Sequence, residues 1–417
     1  MRVTRLIIAA LAFTAICAIF AYLPARDIFG RASAAQPDTY LPIITLPPQA
    51  ATATPPATSP TPSSPATPVA GLYTYTFSID RAAAPALSYN ALSYIVHLGS
   101  ASGASALVNG APVASRYDPA SGDLVFTTDQ AGAVAVRFAA AAAPTVTIQK
   151  AALRDNKAWA WSHGMDDNVF LQAQVDLIAA KGWRASLMLI AKDIDDTRDE
   201  GWILDKPALR ALRNSGWSLA DHSWDHNCDS GASAGTLRQT IIDGYRKLVE
   251  IVSTSDDPSY QLITFAAPCF IGEYGPVFDD LLASGETTLR FNESQGNPLM
   301  NVDGVDYTSG DLTAAAMSAG MRQIGRDTNI EVDPAQDIAT LDWMAANKAA
   351  DRHFWFNTLS HGNQEGNLAQ VLDHAYDAYG PGGSDELWMA PSDEIYSYLL
   401  IRDATVVTPG SLIAPAP

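Results

Sequence analysis

Hydrophobic and polar positions along this chain change rhythm three times, and each change marks a different kind of element. Met1 to Arg5 carries Arg2 and Arg5, and the run from Leu6 to Leu23 contains no charge. A basic start followed by an apolar stretch is an export signal. An uncharged run of roughly 18 residues sits at the lower limit for spanning a bilayer, so residues 1–35 read as a cleaved signal peptide or a retained membrane anchor. Ala32-Ser33-Ala34 offers a cleavage site, whereas Ile16 before Cys17 is branched where a lipidation signal needs a small residue. From Gln36 to Ala70 the chain is Pro, Thr, Ser and Ala with almost no charge. Such a segment cannot bury enough apolar surface to fold, so residues 36–70 read as a disordered linker or stalk.

Residues 71–150 alternate with the two-residue period of half-buried strands, as in Tyr73-Thr74-Tyr75-Thr76-Phe77, Leu124-Val125-Phe126-Thr127 and Ala133-Val134-Ala135-Val136-Arg137-Phe138. Asn109-Gly110 supplies a hairpin turn between Val108 and Ala111. A small β-sandwich module follows from these signals, read as a packing module with a carbohydrate-binding face as the alternative.

After Ala151 the rhythm becomes helix, glycine stop, apolar strand. Val169 to Lys181 stops at Gly182-Trp183 and feeds Ala185 to Ile190; Pro207 to Ser215 stops at Gly216-Trp217 and feeds Ser218-Leu219-Ala220. Proline in the first turn and glycine past the last are the ordinary signs of helix ends. Thr236 to Val252 carries Leu237, Ile241, Tyr245, Leu248 and Val252 on one stripe. Repeated βα units predict an α/β parallel sheet or barrel over 151–407, leaving 408–417 as a C-terminal tail.

Composition narrows the partners. With 26 basic against 45 acidic residues the net charge is -19, which excludes nucleic acid as a partner because phosphate binding needs a basic face. The expected location is extracytoplasmic, secreted or attached to a membrane through residues 6–23, and the expected state is a monomer.

Reactive groups of parallel α/β folds collect where the strands end. Four apolar runs here end in such groups: Ala158 to Trp161 before Ser162-His163-Gly164-Met165-Asp166-Asp167; Ser218 to Ala220 before His222 and His226; Leu262 to Phe265 before Ala266-Ala267-Pro268-Cys269-Phe270; and Phe354 to Leu359 before Ser360-His361-Gly362. Among only seven histidines, a pair with three residues between them is informative. Both imidazoles can face one side of a turn, and one carboxylate completes the three-ligand set of a hydrolytic zinc centre. A divalent metal on Asp167, His222 and His226 would activate water and polarise a carbonyl. The second carboxylate is then free as a base, and His361 can protonate a leaving group.

The motifs Met165-Asp166-Asp167, His222-Ser223-Trp224-Asp225-His226, Phe265 to Phe270 and Thr358-Leu359-Ser360-His361 stand in the order of those of the polysaccharide deacetylases, and residues 155–407 resemble the NodB-homology domain of carbohydrate esterase family four. Lys181 to Ser186 and Glu394-Ile395-Tyr396-Ser397-Tyr398 through Arg402 add to the resemblance. It implies a distorted (β/α) barrel of about seven units, a centre that most often holds zinc, and removal of acetyl groups from an acetylated polysaccharide or oligosaccharide, at amide or ester bonds. It implies Asp166 as catalytic base, Asp167, His222 and His226 as metal ligands, His361 as general acid, and the backbone N–H of Cys269 as oxyanion donor.

The chain departs from that pattern where many members carry an arginine that pairs with the base; here Ala266 stands there, so Asp166 should be the stronger base unless another group replaces the contact. Cys269 replaces the usual aromatic of that motif. A glycan-binding protein whose barrel has lost catalysis is the competing class, and a metal-dependent hydrolase of a non-sugar amide a third reading. His163 reads as a packed or solvated histidine, Cys228 and Cys269 as a possible disulfide bracing two loops of the active face, and Asp193 to Glu200 as a solvated acidic loop without the glycine and glutamate of a calcium site.

Overall fold

The computed structural model describes residues 71–194, 204–252, 260–303, 307–309, 312–316 and 321–414. The export segment, the linker and most of the acidic loop, from Asp195 onward, lie outside the described residues. Among the described residues, no helix is long and apolar enough to cross a membrane.

The first eight strands are β1 (Gly71–Asp80), β2 (Leu92–His97), β3 (Ser102–Val108), β4 (Ala111–Val113), β5 (Ser115–Asp118), β6 (Asp123–Thr128), β7 (Gly132–Ala140) and β8 (Thr147–Lys150). They form two antiparallel sheets, one containing β1-β7-β3-β4 in that order and the other β5-β6-β2-β8. The hairpin between β3 and β4 turns at Asn109 and Gly110, both with positive φ (50° and 83°), where glycine and asparagine are the residues that tolerate the left-handed backbone. Phe77, Tyr94, Phe126, Val136 and Phe138 fill the space between the sheets.

The segment expected to be a tail has a different fate. Strand β20 (Val406–Ile413) runs antiparallel to β1, from Asp80↔Val406 to Thr74↔Ile413, and completes the first sheet. A terminal segment is ordered when a sheet edge offers it backbone partners, so this sandwich is built from both ends of the described chain.

The barrel strands are β9 (Trp159–Asp166), β10 (Ser186–Leu189), β11 (Ser218–Asp221), β12 (Thr264–Ala266), β13 (Phe291–Gln295), β17 (Gln323–Arg326) and β18 (Phe354–Ser360), all parallel in that order. Closure is made by a bridge in which Leu359 N donates to the Asp327 carbonyl at 2.8 Å. Contact between β17 and β18 is short because β14 (Leu299–Asn301), part of an excursion with β15 (Tyr307–Ser309) and β16 (Leu312–Ala316), occupies the lower edge of β18. Likewise β19 (Leu387–Met389) occupies the lower edge of β9, leaving only Gly164–Asp166 to β10. These two intrusions distort the barrel.

The predicted helices appear as α1 (Leu171–Ala180), α2 (Lys206–Asn214) and α3 (Ala234–Val252). Asp205 caps α2 by accepting from Ala208 N at 2.8 Å, and Gly216, at φ 91°, ends it. Beyond them come α4 (Tyr274–Ser284), α5 (Asn329–Val332), α6 (Pro334–Asn347), α7 (Glu365–Ala378) and α8 (Ser392–Ala404). The stripe of α3 is core as expected, with Leu237, Ile241, Leu248 and Val252 buried.

Strand β9 differs from expectation by running on through Ser162–Asp166, where a loop was predicted. Strands on both sides bury all eight of its residues, and its polar side chains find partners there. Trp161 Nε1 donates to Thr358 Oγ1, Ser162 Oγ to Asn357 Oδ1, and His163 bonds Thr358 and Ser360 at 3.0 and 3.1 Å. Satisfied polar groups are compatible with burial, so His163 is a packed residue of the barrel wall. The sandwich core continues without a break into the amino-terminal end of the barrel through Phe291, Trp355, Trp388, Ile395 and Tyr398. The sandwich thereby seals one end of the barrel and leaves the other for chemistry.

Candidate active site

Five strand ends supply that open end. Asp166 closes β9 and Asp167 follows at φ 76°; His222 follows β11; Ala266 closes β12; Arg326 closes β17; His361 follows β18. The turn after β11 reverses quickly, with Ser223 and His226 both at positive φ (67° and 53°), braced by Asp221 Oδ1 on Ser223 N and by Ser223 Oγ on His226 N. Gly244 on α3 is required beneath it, since an added Cβ would lie 2.3 Å from Asp221 Oδ1 and 2.8 Å from the Ser223 carbonyl carbon. This tight turn sets the two imidazoles edge to face, their centroids 4.8 Å apart and their planes at 61°.

Both histidines turn Nε2 toward one oxygen, Asp167 Oδ1, at 3.4 Å for His222 and 3.2 Å for His226. Neither Asp167 Oδ1 nor His222 Nε2, both buried, completes a hydrogen bond among the described residues. Buried polar atoms without partners are rare, and two of them facing one another beside His226 Nε2 make a set of donors suited to a cation. The donor set of one carboxylate and two imidazoles fits a divalent metal. His222 is oriented for it, because Nδ1 donates to the Ala266 carbonyl at 2.8 Å and leaves Nε2 as the lone-pair nitrogen. Burial alone would raise the pKa of Asp167, but His222, His226 and His361 outweigh it and hold the carboxyl at about 2. Burial lowers that of His226, keeping it neutral as a ligand must be.

Asp166 and His361, on either side of that point, each have a partner that the sequence reading missed. Asp166 is gripped by Arg326 through two parallel bonds, Nη1 to Oδ1 at 2.9 Å and Nη2 to Oδ2 at 3.0 Å. That fork replaces the arginine absent at Ala266. With only a methyl there, Ala266 packs against Met188 and Ala220, and the cation enters from β17 instead. Behind it lies Glu293, 3.9 Å from Arg326, fully buried and hydrogen-bonded to Ser392 and Asn357. Burial raises the pKa of Glu293, with Arg326 opposing. Phe270 covers the guanidinium at 5.6 Å.

His361 is held by Glu331, which accepts from its backbone N at 2.6 Å and pairs with Nδ1 at 2.7 Å. That bond raises the imidazole to about 9, ahead of the opposing effect of burial, so it carries a proton at neutral pH. Its Nε2 lies 3.6 Å from Asp167 Oδ2. Glu331 lies on α5, five positions after Arg326. A charged residue closing the strand-like run Gln323-Ile324-Gly325 was the available signal for Arg326; Glu331 left none.

Cys228 and Cys269 are joined in a disulfide with Cα atoms 5.6 Å apart, tying the His226 loop to the loop after β12. Cys269 and Phe270 there both adopt positive φ, at 52°.

No family model and no curated protein matches the chain. Solved structures do: it is similar to a probable polysaccharide deacetylase from Pseudomonas aeruginosa PAO1 (11% identity over 58% of this chain and 91% of that one, TM-score 0.39). It is similar also to a putative polysaccharide deacetylase from Mycobacterium smegmatis (14%, 60% and 93%, TM-score 0.38) and to a family 4 acetyl xylan esterase from Clostridium thermocellum in complex with a cobalt ion (14%, 57% and 90%, TM-score 0.35). At that distance any activity has to be argued from this chain's own side chains.

Proposed function

We propose that this protein is a metal-dependent hydrolase that removes acetyl groups from an extracytoplasmic polysaccharide, at carbon–nitrogen or ester bonds. The observation that carries the reading is the convergence of Asp167, His222 and His226 on one point, with a locked carboxylate on one side and a locked, protonated histidine on the other. A divalent ion held there, zinc being the first to test, supplies Lewis-acid polarisation of the acyl carbonyl and acidifies water.

The chain's own groups do the rest. Asp166, whose two oxygens are fixed by Arg326, takes the proton from the attacking water. His361 gives its Nε2 proton to the departing amine or alcohol, and Glu331 on Nδ1 keeps that proton available. The backbone N–H of Cys269, in a loop tied to the ligand turn, is assigned to the oxyanion. A glycan-binding protein with lost catalysis drew its support from the missing arginine; the Arg326–Asp166 pair takes that support away. Acetate release from acetylated chitin-like, peptidoglycan and xylan oligomers, with zinc, cobalt or EDTA, tests the proposal. Release that EDTA stops and metal restores supports it; no release from any of them under all metals refutes it.

A further inference from the structure

His226 differs from His222 in what its second nitrogen faces. His222 Nδ1 donates to a carbonyl, the usual arrangement that fixes a ligand imidazole. His226 Nδ1 faces sulfur: Cys228 Sγ lies 3.4 Å away, a weak acceptor in a disulfide. Three potential ligand atoms, from His226, Cys228 and Cys269, lie within 4.8 Å of one another, beside the centre built on Asp167, His222 and His226. The two sets share only His226.

Both cysteines are exposed, so a small dithiol reaches the bond directly. Exchange would proceed through a mixed disulfide: two electrons and two protons pass from the dithiol to Cys228 and Cys269, and the dithiol leaves as its own cyclic disulfide. Two thiols and an imidazole on exposed loops are a soft donor set that zinc prefers to a carboxylate and two imidazoles. At Zn–S distances of about 2.3 Å, two sulfurs on a tetrahedral ion stand roughly 3.8 Å apart, and Cα atoms 5.6 Å apart accommodate that by side-chain rotation.

We propose that reduction of the Cys228–Cys269 disulfide creates a second metal site, formed by both sulfurs and Nδ1 of His226, which withdraws that histidine from the Asp167–His222–His226 centre. Binding there expels the two thiol protons. The loss of hydrolysis on reduction rests on the functional reading above; the existence of the sulfur site does not.

Cobalt titration of the full chain separates the two. The oxidised protein takes up cobalt without a sulfur-to-metal charge-transfer band. The protein reduced with a dithiol and desalted under anaerobic conditions shows that band in the near-ultraviolet, saturating at one ion on the thiolates. Cys228→Ser lacks the band, His226→Ala weakens cobalt binding about tenfold or more, and His222→Ala keeps it. Acetate release by the wild type falls about tenfold on reduction, whereas Cys228→Ser, with neither disulfide nor thiolate pair, stays active and indifferent to dithiol. A reduced wild type without the band overturns the site, as does a band that His226→Ala leaves unchanged. Cys228→Ser as inactive as the reduced wild type overturns the competition, because loss of the brace alone then explains the effect. An oxidised chain that binds cobalt but releases no acetate defeats the hydrolase reading alone, and the reduced-state band still decides this one.

Discussion

Replacing Arg326 by methionine removes one guanidinium from between two buried carboxylates. The side chains of Arg326 and Asp166 are 1% and 3% exposed and that of Glu293 0%, so solvent cannot compensate the loss. Removing one partner of such a pair costs about 3–5 kcal/mol, since an uncompensated charge stays buried. Asp166→Asn, which leaves Arg326 paired with Glu293, is expected to cost about 1.5–3 kcal/mol, the range for a hydrogen bond to a charged group. With both changed, no orphaned charge remains at Asp166, and the double variant should fall short of the sum by about 2 kcal/mol. Urea unfolding of wild type, both single variants and the double variant, all metal-free and at equal pH, gives the four stabilities; constant m-values are the check that the comparison is fair. In turnover, Arg326→Met should lose about a hundredfold in kcat through misplacement of the base. Arg326→Lys, which keeps the charge but not the fork, should recover only part of either loss. Additivity of the two single changes within about 0.5 kcal/mol would refute the assignment of Arg326 as the partner of Asp166.

Glu331→Gln removes the largest cause of the high His361 pKa of about 9. Because the acid must carry its proton, the rate is lost as pH rises through that value; in the variant this basic limb moves to lower pH, and acetate release at pH 8 falls about tenfold. An unmoved limb excludes His361 as the acid. Burial depresses His163 to about 4, below its unfolded value of 6.5. Its contribution to stability is therefore fully present above pH 6.5 and is lost as pH falls from 6.5 toward 4, amounting to about 3 kcal/mol. His163→Gln should flatten that part of the urea-midpoint profile relative to wild type, and an identical slope in both proteins contradicts the burial argument.

The proposed catalytic constellation was legible because its members stand at strand ends, where a period change in hydrophobicity announces both the strand and the loop. Asp166, Asp167, His222, His226 and His361 all follow apolar runs, and the structure brings their side chains together. Their partners were not legible for a physical reason. Arg326 closes a four-residue strand with one large apolar side chain, Ile324, too short to show a period. Glu331 lies on a four-residue helix, and its role depends on the closure of β17 onto β18 at Asp327 and Thr358, a contact between residues far apart in sequence. The same holds for β20, whose residues Pro409 and Gly410 speak against a strand until β1 supplies an edge to pair with. Strand β9 was cut short in the sequence reading because Ser162 and His163 look solvated; only Asn357, Thr358 and Ser360 on the neighbouring strand make them fit for burial.

The central claim is that base and metal site are separate functions of adjacent residues, Asp166 and Asp167. Metal content and acetate release measured together on Asp166→Ala decide it. One tightly held divalent ion per chain, with acetate release lost, is the predicted result; full activity in that variant, or loss of the metal along with the activity, contradicts the account.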